Sequence, residues 1–206
     1  MKKLLALATV TVAFSLTAAA ENPFAGAYLG GGFSTVSADV TRSGNNAFSG
    51  GTSFHGHSIF GGYSYEISEN VMIGGEAGLS QNAFINNAQR SDGTWWWRNN
   101  EQYRLPYAGV RIGYVWEDTL MPYLSAGIVR PSYTFEGQNG GVAFDQSVIL
   151  KDDKVSYTAL GMDYTIADNV LGRVELRRLT IGWPNDATSS TDQTQTSLLF
   201  GASYRF

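Results

Sequence analysis

Over most of its length the chain alternates apolar and polar residues one by one, and this period of two constrains its fold more than any other feature. Near the C-terminus Leu198, Phe200, Ala202, Tyr204 and Phe206 share one side of an extended segment, and Leu199, Gly201, Ser203 and Arg205 share the other. Pro106, Ala108, Val110, Ile112, Tyr114 and Trp116 alternate in the same way with Tyr107, Gly109, Arg111, Gly113 and Val115. Val71, Ile73, Gly75, Ala77 and Leu79 alternate with Met72, Gly74, Glu76, Gly78 and Ser80. A helix needs apolar residues three and four apart, whereas a period of two makes a strand with two unlike faces. The pattern predicts eight strands, over about 27–36, 54–65, 71–80, 103–116, 122–131, 155–166, 170–178 and 195–206. Most hold about ten residues, the length at which a tilted strand crosses a bilayer.

The two faces differ sharply. One carries Leu, Val, Ile, Ala and aromatics. The other carries Gly and Ser with three acids, Glu76, Asp163 and Glu175, and four bases, Arg111, Arg173, Arg177 and Arg205. In a soluble sandwich the apolar face packs on a second sheet and the charged face meets water. Two features point to lipid instead. The connections sort by parity: 66–70, 117–121 and 167–169 are short, whereas the alternate ones, such as 81–102 and 132–154, run to about 15–23 residues. Aromatics also gather at the short-turn ends of the apolar faces, at Tyr63, Tyr65, Tyr114, Trp116, Tyr164, Tyr204 and Phe206, as rings do at a membrane boundary. In hydrocarbon no backbone group stays unpaired, so such a sheet must close on itself. The expectation is an all-β protein: an eight-stranded antiparallel up-and-down transmembrane β-barrel, charged face inward.

Composition fits this reading. The mean hydropathy of −0.14 describes an average over two faces, not a soluble protein. The absence of Cys excludes disulfides and thiolate metal sites, and two His argue against a multi-His metal centre. A net charge of −4 argues against a nucleic-acid partner. No cofactor is expected. Met1 to Ala20 reads as a secretory signal peptide, with Lys2 and Lys3 before an apolar stretch from Leu4 to Leu16 and Ala18-Ala19-Ala20 before a cut at Glu21. The alternative, a short membrane anchor, is disfavoured by length and by the small-residue end. The domain boundaries are therefore 1–20 and 21–206, and two of the 14 bases leave with the leader, so 12 bases face 18 acids. Export of this kind points to a bacterial envelope or to secretion; with the barrel reading, the expectation is a Gram-negative outer membrane with both termini in the periplasm.

The residues resemble a known superfamily. Ala27-Tyr28-Leu29-Gly30-Gly31-Gly32, Phe60-Gly61-Gly62-Tyr63, Gly74-Gly75-Glu76-Ala77-Gly78, Pro122-Tyr123-Leu124-Ser125-Ala126-Gly127, Gly161-Met162-Asp163-Tyr164 and the terminal Gly201-Ala202-Ser203-Tyr204-Arg205-Phe206 are similar to eight-stranded outer-membrane barrels. These are the outer membrane protein A-like, opacity-like surface antigens of the porin-family type. The resemblance implies outer-membrane location and a surface or adhesion role. It also implies that the outer-membrane assembly machinery reads the C-terminal signal, here Tyr204 and Phe206. The peptidoglycan-binding domain that outer membrane protein A adds is not expected. One residue departs from the pattern: Pro106 removes a ladder donor inside predicted strand 4, so either a bulge sits there or pairing begins near Tyr107.

Several candidate sites follow. Glu76, Asp163 and Glu175 with Arg111, Arg173, Arg177 and Arg205 are expected to form a salt-bridged plug inside the barrel, with Glu76 and Arg111 as a pair; a narrow gated channel is the alternative. Parity puts Arg104, Arg130 and Arg178 on the lipid-facing side near the long-loop ends, at headgroup level, as candidate lipopolysaccharide contacts or snorkelling side chains. His55 and His57 share a face but lack a third metal ligand. Ser58 points away from His57, which argues against a lipid-acting hydrolase. Trp95, Trp96 and Trp97 lie in a predicted long loop, either packing on that loop or contacting a host or surface ligand. The expected function is a non-enzymatic surface protein, with a lipid-acting enzyme or a small-solute channel as alternatives.

Overall fold

The computed structural model describes residues 22–42, 48–89, 96–139, 142–149, 154–186 and 189–206. The predicted leader and Trp95 lie outside the described residues. Ten antiparallel strands form one sheet: β1 (Gly26–Arg42), β2 (Phe48–Ser68), β3 (Val71–Gln89), β4 (Trp96–Tyr114), β5 (Leu120–Val129), β6 (Ser132–Asn139), β7 (Val142–Ile149), β8 (Val155–Ala167), β9 (Val170–Asp186) and β10 (Ser189–Arg205). Eight of them close a ring in the order β3-β2-β1-β10-β9-β8-β5-β4, with β4 returning to β3. The hairpin β6–β7 extends from this ring, β6 pairing with the outer part of β4.

Alternating burial runs along the ring strands, as in β8, where every second residue from Val155 to Asp163 is buried. The outward side carries Leu29, Phe33, Ile59, Val110, Leu124, Leu160 and Phe200, all exposed, which is the reverse of a water-soluble fold. The seven boundary aromatics, Tyr63 to Phe206, are exposed on this same side. Short turns close one end. Asn70, Glu117 and Asp118 adopt positive φ there, as tight reversals between twisted strands require. The pairing of β1 with β10 brings both ends of the barrel segment to that end.

Inside, aromatic rings lie over glycines of neighbouring strands. A Cβ at Gly78 would stand 2.7 Å from the Tyr107 ring, and one at Gly30 would stand 2.6 Å from Phe60. These inward glycines make room for large inward rings. Gly75, by contrast, faces outward with nothing within 4 Å of such a Cβ.

The long connections differ from expectation. Most of their residues continue as paired strand, so β1 and β2 are separated only by 43–47 and β3 and β4 only by 90–95. In these outer stretches the alternation of the sequence fades, but the ladder below still templates the backbone. Trp96 and Trp97 therefore belong to β4, opposite Gln89 and Ala88, rather than to a loop. The extensions also separate. Among the described residues, 48–53 of β2 pair only with β1, 84–89 of β3 only with β4, 180–186 of β9 only with β10, and β7 only with β6. The outer region thus divides into two four-stranded flaps, β2-β1-β10-β9 and β3-β4-β6-β7.

No bulge sits at Pro106, and the ladder between β4 and β5 begins at Tyr107, opposite Val129, while the ladder with β3 runs on. Pro106 stays in register opposite Leu79, and its carbonyl accepts from the Arg130 N–H at 2.9 Å. Its missing donor therefore falls opposite Arg130, where the neighbouring strand is itself interrupted at Arg130-Pro131 between β5 and β6. The gap in one ladder meets the gap in the next.

Gly78→Val should displace Tyr107 and cost about 1–3 kcal/mol. Gly75→Val, on the lipid side, should stay within about 0.5 kcal/mol of the parent. The temperature at which heat abolishes the compact form on a detergent gel reads both.

Candidate functional site

The lumen is filled in layers. At the short-turn end Phe24, Met72, Val115, Met121, Tyr123 and Leu171 form an apolar base. At the other end of the span lies a second apolar cluster that includes Leu105, Val129, Tyr157, Leu179 and Ile181. Between them lies a buried ionic layer.

Arg173 of β9 is its hub. Its Nη1 donates to Glu76 Oε2 of β3 at 2.5 Å, and its Nε donates to Asp163 Oδ1 of β8 at 2.8 Å. Arg111 of β4 donates to Asp163 Oδ2 at 2.5 Å and stands 3.6 Å from Glu76. Arg177 bonds Glu175 at 2.7 Å and lies 3.9 Å from Glu76. The expected Glu76–Arg111 pair is thus the longer contact, and Asp163 is the acid that Arg111 grips. Three carboxylates meet three guanidiniums, so the layer is neutral, and Arg forks satisfy several oxygens at once.

Tyrosines complete it. Tyr28 and Tyr107 donate to the two Glu76 oxygens at 2.9 and 3.0 Å, and Tyr123 donates to Glu175 at 2.8 Å. Aromatic faces cover the cations: Arg173 lies 4.2 Å from the Phe60 centroid, Arg111 4.3 Å from Tyr123, and Arg177 3.9 Å from Tyr107. These rings were absent from the expected network. The available signal was parity, since Tyr28, Tyr107 and Tyr123 occupy inward positions on charged-face strands. The layer ties β1, β3, β4, β5, β8 and β9 across the lumen.

Arg205 does not join the layer, which corrects its expected place in the charge network. It points inward, but at the short-turn end, where its Nη1 donates to the carbonyls of Asn22 at 2.7 Å and Ala25 at 3.4 Å, and its Nη2 to that of Asp168 at 3.3 Å. No acid of the layer is in its reach, and turn carbonyls without strand partners take its donors. It clasps the start of the barrel segment to its last strand and to the β8–β9 turn.

Above the layer is a cavity of about 30 Å³, room for roughly two water molecules. Ser34, Ser58, Ser80, Asn82 and Gln195 line one side, and Leu105, Val129 and Leu179 the other, over a floor of Arg177 and Glu175. Ser58 bonds Ser80 at 2.8 Å, whereas His57 is exposed on the outer wall, so these two do not meet. His55 also faces outward, 3.4 Å from Thr35 Oγ1. Among the described residues no group of three His, Cys, Asp or Glu is placed to hold a metal. Arg104, Arg130 and Arg178 are exposed on the outer wall. Of the tryptophan run, the side chains lie outside what the structure describes.

A closed ring of eight tilted strands, apolar outside and ionic inside, defines a transmembrane β-barrel. The chain matches the family model of the outer membrane protein beta-barrel domain over residues 6–206 and belongs to that family, whose place is the bacterial outer membrane. Among solved structures it is similar to Neisserial surface protein A, at 16% identity and a TM-score of 0.54, with 88% of this chain and 99% of that chain covered. It is also similar to the outer membrane protease OmpT from Escherichia coli, at 10% identity and a TM-score of 0.52, with 87% and 96% covered. At these identities the likeness is one of fold. No curated protein matches by sequence.

Glu76→Ala should cost about 3–5 kcal/mol, because it strands Arg173 and two tyrosine hydroxyls. Combining it with Arg173→Ala should recover only part of that loss, because Arg173 also holds Asp163. Strictly additive losses in the same heat-modifiability assay would dissolve the pair.

Proposed function

We propose that the protein is a non-conducting, non-enzymatic surface barrel whose outer extensions attach to or interact with other surfaces. One observation carries this reading: the lumen is blocked by packed ion pairs, while the strands run on beyond the membrane span and separate into flaps whose edge strands pair on one side only among the described residues. A filled lumen argues against passage of solutes, and an unpaired strand edge is a ready partner for another chain. The separation of Ser58 from His57 argues against the lipid-acting enzyme. Likeness to a protease of this fold does not carry that protein's chemistry here.

The rest of the reading concerns orientation and partners. The leader, Met1 to Ala20, is removed on export, and the short-turn end with both barrel termini faces the periplasm. Tyr204 and Phe206 are read by the assembly machinery. Arg104, Arg130 and Arg178 contact lipopolysaccharide at the outer boundary. Trp96 and Trp97, the first residues of β4, together with Trp95 before them in the sequence, supply aromatic contacts to a host or surface ligand.

Protease added to whole cells should cut only in the long connections between the ring strands and spare the short turns at 66–70, 117–121 and 167–169, and the purified protein in planar bilayers should give no single-channel steps. Discrete conductance steps would replace this reading with the channel. Replacing Trp95, Trp96 and Trp97 together by Ser should abolish surface binding while leaving the heat-modifiable form intact.

A further inference from the structure

The outer wall is electrically lopsided. Arg104 of β4, Arg130 just after β5, Lys154 just before β8 and Arg178 of β9 are all exposed and outward, and those four strands are consecutive in the ring. The other half, β10-β1-β2-β3, presents no outward Lys or Arg among its described side chains. It carries Asp39, Asp192, His55 and His57 instead. On the cationic half no outward carboxylate occurs among the described side chains of the four strands, and no cation there has an ion-pair partner among the described residues.

Strand register gathers three of these cations. Arg104 lies opposite Ser132, two residues from Arg130, so the two arginines are diagonal neighbours with Cβ atoms about 7–8 Å apart. Arg130 and Lys154 stand one step beyond the Val129–Val155 pair and so face each other across β5 and β8. Like charges so placed repel unless an anion sits among them. Arg178 lies opposite Thr158, four residues along β8 from Lys154, which is about 13 Å of strand. Arg104 is ten positions from Tyr114 at the boundary aromatics, about 33 Å along a strand tilted near 45°. That amounts to about 23 Å of membrane normal, which places the cluster where the apolar band ends.

We propose that this half of the wall is a docking face for one phosphorylated lipid of the outer leaflet. Arg104, Arg130 and Lys154 hold one phosphate, and Arg178 supplies a second anionic contact. The inference deepens the lipopolysaccharide contact above and rests on that reading's orientation. It adds Lys154, which sequence parity alone did not single out, and it makes the contact one-sided. Guanidinium and ammonium groups at the lipid boundary bind phosphate through charge-assisted hydrogen bonds, whereas the opposite half, with two carboxylates, repels it.

The test uses the purified barrel in neutral detergent, titrated with bis-phosphorylated lipid A and with the same lipid stripped of phosphate, with bound lipid counted by native mass spectrometry. The variant R104Q/R130Q/K154Q/R178Q should bind the phosphorylated lipid about tenfold or more weakly, and D39N/D192N should leave binding unchanged. The stripped lipid should bind parent and variant alike, and weakly. A photo-crosslinking residue at Ser156 should capture the phosphorylated lipid, and one at Ser37 should not. Undiminished binding by the variant, equal binding of both lipids by the parent, or equal capture at Ser156 and Ser37 would overturn the inference. Heat-modifiable mobility reports that each variant is folded. Protease access on whole cells reports the orientation separately, so the two readings fail by different measurements.

Discussion

Six ionised side chains sealed inside a lipid-bound lumen are tolerable only if their charges cancel and their donors and acceptors are all engaged, and the rest of this structure is arranged around that requirement. A lone buried charge would cost several kcal/mol. Here each acid meets at least one Arg, and tyrosine hydroxyls fill the remaining oxygens of Glu76 and one of Glu175. The glycine-rich inward face follows from the same need. Rings broad enough to cover guanidiniums fit a narrow lumen only where the neighbouring strand has no side chain, as Tyr107 does over Gly78. The ion layer and the glycines are therefore one packing solution.

How much of this was legible in the sequence depended on which solvent reads each face. Within the bilayer span one face meets hydrocarbon and the other a polar lumen, so parity alone assigned Glu76, Arg111, Asp163, Arg173, Glu175 and Arg177 to the inside. Beyond the span the alternation of the sequence dissolves, and strand is indistinguishable from loop. For that reason the outer parts of β3 and β4 looked like a connection. Partner choice within the lumen was not legible either. It depends on the stagger between strands, which sets Arg173 closer to Glu76 than Arg111, at 2.5 against 3.6 Å, and carries Arg205 below the layer. Lys154 escaped notice because it lies one residue beyond the alternating run of β8, and only the register beside Arg130 gives it meaning.

Pro106 shows how local rules are satisfied across strands. A closed barrel has no free edge on which to place a residue without an N–H. The neighbouring strand breaks at Arg130-Pro131, so the missing bond falls where the ladder is already open. That break also marks the level at which the wall ends and the β6–β7 hairpin begins, and it sets Arg130 at the same level. A backbone defect, a change of solvent and a cationic cluster therefore coincide at one height.

This division by height separates what holds the molecule together from what meets its surroundings. The ion layer and its rings lie within the span and tie six strands from the inside, so they do not depend on the flaps above. The flaps are joined by backbone ladders to the wall but, among the described residues, not to each other. Changes in the outer parts of β1 to β4 or in the β6–β7 hairpin can therefore alter what the outer edges bind without disturbing a charge that must stay paired. A surface function on such a scaffold can vary at little cost to folding, whereas a pore through the same lumen would require dismantling the interaction that stabilises it.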